Sequence, residues 1–198
     1  MKYLENAIEA LKALEAEQEK FETARELIRK AINEDRLIHI FGTEARASAL
    51  IAEVFFRPGF PIQIDPMLDP TLDIAHGAYR NQMALEVDNL TPCILGYYER
   101  VKEGNPFILI GSDSQSKAFV QSFGWAKERN LRIITVTDEL TDADAAFKTE
   151  PKAFTVSAVA ILNMLLEDMP EKWTGDKTVD LHENAEKLDR MLFEVKHL

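Results

Sequence analysis

The sequence predicts an α/β fold built on a parallel sheet, and three observations predict it. Short apolar runs rich in β-branched residues recur at 37–41, 60–64, 107–111 and 131–136. Each is too short for a helix and reads as a strand buried on both faces. Stretches with helical apolar spacing, about 10 to 15 residues long, separate them, the alternation that gives parallel strands covered by helices. Two of the strands, in IHIFGTEARAS and PFILIGSDSQSKA, run into a polar, hydroxyl-bearing loop that opens directly into a helix.

Residues 3–33 read as helix broken into two. Leu4, Ala7, Ile8, Leu11 and Leu14 share one face, and Phe21, Ala24, Leu27, Ile28, Ala31 and Ile32 resume it. The intervening EAEQEK offers almost nothing apolar. These helices either pack on the α/β core or reach out to a second subunit; the seam is interrupted at Gln18 and Arg25, against a long coiled coil. The strand at 37–41 ends at Gly42, where the chain can turn sharply. A helix over 47–56 stops at Arg57-Pro58-Gly59.

The strand at 60–64 begins with Pro61 near its start, which points to a sheet edge. Asp65-Pro66-Met67-Leu68-Asp69-Pro70 reads as irregular, because each proline restrains its predecessor. Residues 76–81 look turn-like. Thr91-Pro92 has the form of an N-cap and first helical position, opening a helix through Ile94, Leu95, Tyr98 and Val101 to Gly104. After the strand at 107–111, three serines fall in five residues, and the next helix presents Ala118, Phe119, Phe123 and Ala126 inward. The strand at 131–136 is followed by an acidic loop with room for a fifth strand over 145–148. Residues 154–166 are apolar almost all round and should be buried, against the sheet or a partner subunit. A turn-rich linker over 172–180 leads to a last amphipathic helix over 182–195, with Leu188, Met191, Leu192 and Val195 inward. The expected division is one α/β domain over 1–170, followed by linker and helix over 171–198.

Composition narrows the function classes. Hydrophobic residues make up 46% and charged residues 29% of 198, an ordinary globular balance. The net charge of −11 and the scattering of Lys and Arg among acids leave no basic patch for nucleic acid. One cysteine, Cys93, cannot form an internal disulfide, which favours a reducing compartment. No run has the length of a membrane span and MKYLENAIEALK has no apolar signal core, so a cytoplasmic protein without membrane contact is expected. No spacing of His, Asp or Glu resembles a metal site and no nucleotide-cofactor fingerprint occurs, so neither metal nor cofactor is expected.

Hydroxyls at a helix N-terminus bind phosphate oxygens, while backbone N–H groups and the helix dipole supply the electrostatics. Ser112, Ser114 and Ser116 fit that role, as do Gly42 and Thr43 in the earlier loop. A single serine-rich connection could equally be a capped turn. Two such units together point to a phosphorylated small molecule.

FGTEARASALIAEVFFRPGF followed by FILIGSDSQSKAF, in that order, resembles the SIS (sugar isomerase) domain, and more narrowly the phosphoheptose isomerase-like bacterial proteins. IDPMLDPTLDIAHGAYRNQMALE is similar to the linker those relatives carry after the second strand. The resemblance spans about residues 1–168. It implies a flavodoxin-like five-stranded parallel sheet flanked by helices, a dimer or tetramer, and phosphosugar binding at the C-terminal rim of the sheet. It also implies that Ser112, Ser114, Gln115 and Ser116 form the phosphate loop, with Gly42, Thr43 and Ser48 from the first loop. Glu53 matches the position of the catalytic glutamate, and His76 lies in a loop near the site.

The sequence departs from that family at several points, among them Gln115 where a glycine is common and Asp113, a second negative charge in the serine loop. Glu44 stands where a second glycine is usual, and a carboxylate beside a phosphate is repulsive; Arg46 could neutralise it if the loop turns that way. The helix over 154–166 lacks the family's histidine. His39, inside the first strand, reads as a satisfied core residue. Three readings therefore stay open: an aldose–ketose sugar-phosphate isomerase, a non-catalytic phosphosugar-binding or regulatory module, and a structural dimer that has lost the ligand.

Overall fold

The structure is a computed structural model that describes residues 2–55, 59–73, 77–167 and 169. His76 and the linker and helix expected over 172–195 lie outside the described residues. Five parallel strands form one sheet: β1 (Ile38–Gly42), β2 (Ile64–Met67), β3 (Pro106–Ile110), β4 (Arg132–Thr137) and β5 (Ala145–Lys148), in the order β2-β1-β3-β4-β5. This is the flavodoxin-like order, which reverses direction between β1 and β3.

Alternation along each strand divides the core in two. Ile38, Ile40, Ile108, Ile110, Ile134 and Val136 face a layer of four helices: α1 (Lys2–Leu14), α2 (Gln18–Asn33), α3 (Ala45–Ile51) and α7 (Phe154–Leu166). Phe41, Phe107, Leu109 and Ile133 face the other layer: α4 (Ala78–Ala84), α5 (Leu90–Gly96) and α6 (Lys117–Glu128). The N-terminal helical region is broken at Glu15–Glu17, a single 3-10 turn, where the apolar face lapses. α7 buries Phe154, Ala158, Ile161, Leu162, Leu165 and Leu166 within its own subunit. The Arg25 guanidinium of α2 caps its C-terminal end, donating to the Met164 and Glu167 carbonyls at 3.2 and 3.1 Å.

The loops after the first two strands depart from the sequence expectation. β2 lies at 64–67 rather than 60–64, so Asp65 and Pro66 belong to the strand. β2 is an edge strand paired only with β1, and an edge has one side on which a missing N–H costs nothing. Residues 78–81, within the stretch expected as turn, open α4, which is entered through Gly77 at φ +94°. Its few inward residues, Asn81 and Ala84, explain why no apolar periodicity announced it. Thr91 is not a cap; its buried hydroxyl donates to the Ala118 carbonyl at 3.2 Å, tying α5 to α6. Asn89 at φ +60° opens α5, which ends at Gly96 rather than Gly104. α3 also ends early, at Ile51, giving way to turns through Phe55.

Candidate functional site

Parallel pairing sets Gly42 of β1 beside Ile110 of β3, so the loops that leave these strands emerge together at the C-terminal rim. In sheets of this order, ligands sit at such a reversal point. Both glycines there are required by space rather than by backbone freedom. A Cβ on Gly42 would strike the backbone of Ala47 and Ser48, because α3 folds back directly over the strand end. One on Gly111 would lie 2.6 Å from Thr43 Oγ1 and 2.8 Å from the Phe119 ring. Thr43 is buried, its N–H and hydroxyl both donating to the Ile110 carbonyl, at 3.0 and 3.3 Å. Ser48 Oγ donates to the Gly42 carbonyl at 3.3 Å. The two loops are thus bound to each other before any ligand arrives.

The serine loop is held by its own polar groups. Ser116 caps α6, its Oγ accepting the Phe119 N–H at 3.3 Å and donating to the Asp113 carbonyl at 2.9 Å. The Gln115 N–H donates to Asp113 Oδ1 at 2.8 Å, and Gln115 itself is exposed. The Ser114 N–H donates to Asp138 Oδ1 at 2.8 Å, and the Thr137 hydroxyl reaches the same oxygen at 3.1 Å. Partial burial pushes the Asp138 carboxyl upward, but the bonds it accepts from the Ser114 N–H and the Thr137 hydroxyl outweigh it and hold the group below the usual aspartate range. The Ser112 N–H donates to Glu44 Oε1 at 3.0 Å, across the gap between the two loops.

Glu44 is therefore a hydrogen-bonded member of the rim. Arg46 does not neutralise it: its guanidinium lies over the Phe154 ring, 5.9 Å from the centroid. Among the described residues Glu44 has no ion pair. Asp138 was not singled out in the sequence, yet it is the group that fixes Ser114. The only hint was an acid directly after a buried strand. Among the described residues no group of three His, Cys, Asp or Glu side chains is placed to hold a metal ion.

The rim gathers Gly42, Thr43, Ser48 and the 112–116 loop, and Glu53 lies further along the chain from Ser48. It is exposed, in the turn that follows α3. A helix rises about 1.5 Å per residue, so the chain at Ile51 is already about 9 Å along the axis from Ala45. Away from the rim, His39 is fully buried, with Nδ1 2.7 Å from Asp65 Oδ2 and Nε2 2.9 Å from Asn105 Nδ2. Nδ1, facing the Asp65 carboxylate, is the ring nitrogen placed to donate. The other partner of His39, Asn105, precedes β3, so this cluster lies at the opposite end of the sheet from the serine loop.

A family model described as the SIS domain matches residues 2–138, from α1 through β4 and Asp138, and so takes in both rim loops. The chain belongs to the SIS domain family. Its fold is also that of a solved structure of phosphoheptose isomerase GmhA from Neisseria gonorrhoeae, at a TM-score of 0.55 and 17% identity. That match covers 82% of this chain and 90% of the other. No curated protein matches the sequence significantly. In this SIS domain no helix among the described residues is long and apolar enough to cross a membrane.

Proposed function

We propose that this SIS domain binds a sugar phosphate, or a related carbohydrate derivative, at the rim between β1 and β3. The observation that carries the reading is the joined pair of loops. The serines at 112–116 open onto the N-terminus of the 12-residue α6, against the glycine-tight first loop. The positive end of α6 and the serine hydroxyls are what a phosphate needs there, with Ser112, Ser114, Gln115 and Ser116 on one side and Gly42, Thr43 and Ser48 on the other. We place the protein in the cytoplasm as a homo-oligomer, without metal or cofactor.

A second reading is favoured by the fold shared with a phosphoheptose isomerase. In it, aldose–ketose isomerisation uses Glu53 as the base that moves a proton between adjacent carbons and His76 as its acid partner. The exposed position of Glu53, in the turn that follows α3, favours the binding module within a single subunit.

Calorimetric titration with sedoheptulose 7-phosphate, fructose 6-phosphate and glucosamine 6-phosphate tests the first reading. Each lost hydroxyl bond to a charged oxygen costs about 1.5–3 kcal/mol, so Ser112→Ala with Ser114→Ala should weaken binding at least about tenfold. Equal affinity in wild type and double variant would remove the serine loop from the site. Turnover lost in Glu53→Gln with binding intact would establish the isomerase; no turnover in wild type would leave the binding module.

A further inference from the structure

Three backbone N–H groups of the serine loop, those of Ser112, Ser114 and Gln115, already donate to carboxylates. Asp113 serves Gln115 within its own turn, an ordinary local arrangement. Asp138 is held on two sides, by the Ser114 N–H and the Thr137 hydroxyl. Glu44 is different. It comes from the loop of the neighbouring strand, 68 residues earlier, and joins the serine loop through one bond, to the Ser112 N–H. It makes no capping bond to its own helix α3, where its backbone is extended at φ −148° and ψ 166°. Among the described residues it has no cationic partner, and Arg46 is turned to Phe154. A carboxylate so placed has the charge and acceptor geometry of one phosphate oxygen, on a tether that leaves it removable.

We propose that Glu44 is a specificity-determining residue that acts as a resident anion, filling the seat at Ser112 until a ligand phosphate displaces it. This rests on the sugar-phosphate reading and adds to it. With Glu44 in that seat the Ser112 N–H is already satisfied, so free inorganic phosphate gains little by entering and meets a like charge. A sugar phosphate displaces Glu44 only by adding contacts through its sugar. The residue thereby sets a threshold against small anions and favours ligands that carry both parts. The site also contains Asp113 and Asp138, whose charges remain when Glu44 leaves; Glu44 is singled out because its departure breaks no local turn and no second bond.

The test is calorimetric titration of wild type, Glu44→Gln and Glu44→Ala with inorganic phosphate, glucosamine 6-phosphate and unphosphorylated glucosamine. Phosphate affinity should rise at least about tenfold in Glu44→Ala, equivalent to about 1.4 kcal/mol. Glu44→Gln, which keeps the acceptor oxygen and loses the charge, should fall between. Affinity for glucosamine should not increase. Equal phosphate and sugar-phosphate affinity in all three proteins would overturn the resident anion while leaving the sugar-phosphate reading intact. Absence of binding of either phosphate compound to every protein would overturn both. A second measurement needs no variant: the Ser112 amide resonance of wild type should move on saturation with glucosamine 6-phosphate, as its partner changes from carboxylate to phosphate. An unmoved Ser112 amide in a saturated protein would place the phosphate elsewhere and sink the proposal.

Discussion

Ser114 donates its backbone N–H to Asp138 Oδ1 at 2.8 Å, linking the loop after β3 to the end of β4. The bond crosses between adjacent strands, so it fixes the height at which the serine loop leaves the sheet. It also makes loop order depend on the charge of a single carboxylate.

The first prediction concerns pH. The folded Asp138 carboxyl lies below the ordinary aspartate value, held there by the Ser114 N–H and the Thr137 hydroxyl. The unfolded chain therefore binds the proton more readily in that window. The stabilisation is fully present above the unfolded value and is lost as pH falls through the folded one. Asp138→Asn should lower stability at pH 7 and remove part of the loss seen in wild type below about pH 4. Thermal melts of both proteins from pH 7 to 3 measure this, and parallel curves would show that Asp138 carries no such linkage.

The buried polar cluster gives a second prediction. His39 and Asp65 are paired at 2.7 Å across β1 and β2, both almost wholly buried. His39→Leu would strand the carboxylate in an apolar surrounding, at a cost of at least about 3 kcal/mol. His39→Leu with Asp65→Leu should recover much of the loss, since replacing both partners removes the unpaired charge. Urea denaturation of the single and double variants decides it. A double variant less stable than either single one would contradict the argument.

Glycine substitutions should divide by location. Gly42→Ala and Gly111→Ala place a Cβ against fixed neighbours and should destabilise by about 1–3 kcal/mol. Gly124 lies within α6 with open space around its Cβ position. Gly124→Ala should therefore stabilise by about 0.5–1 kcal/mol. Melting temperatures moving in the same direction for all three would refute the steric account.

The last prediction concerns assembly. The sequence pointed to residues 154–166 and the N-terminal helices together as apolar surface beyond what one sheet layer covers, and α7 buries its share inside the subunit. α1 does so only in part: Ala7, Ala10 and Leu14 face inward while Leu4, Ile8 and Leu11 stay exposed along a stripe that flanks them. A second copy covering that stripe would bury it. Light scattering should give a mass above 22.5 kDa for wild type and close to it for Leu4→Glu with Ile8→Glu. A monomeric wild type at micromolar concentration would remove the oligomer.

The parallel α/β class followed from sequence alone, because buried strands such as Phe107–Ile110 and helices such as α7 are decided by apolar content and length. The two strand-end loops were legible for a local reason: glycine lets a strand turn sharply and serine caps the helix that follows. What the sequence could not carry was anything set by the neighbour across a strand gap. Pro66 reads as a strand breaker until the sheet order puts β2 at the edge. Glu44 reads as an intruder beside a phosphate until the pairing of β1 with β3 brings Ser112 to it. Asp138 reads as loop until β4 sets it under Ser114. Local propensity fixes where strands and helices form, because it depends on residues close in the chain. The partner of each polar group at the rim depends on which strands lie side by side, and only the folded sheet decides that.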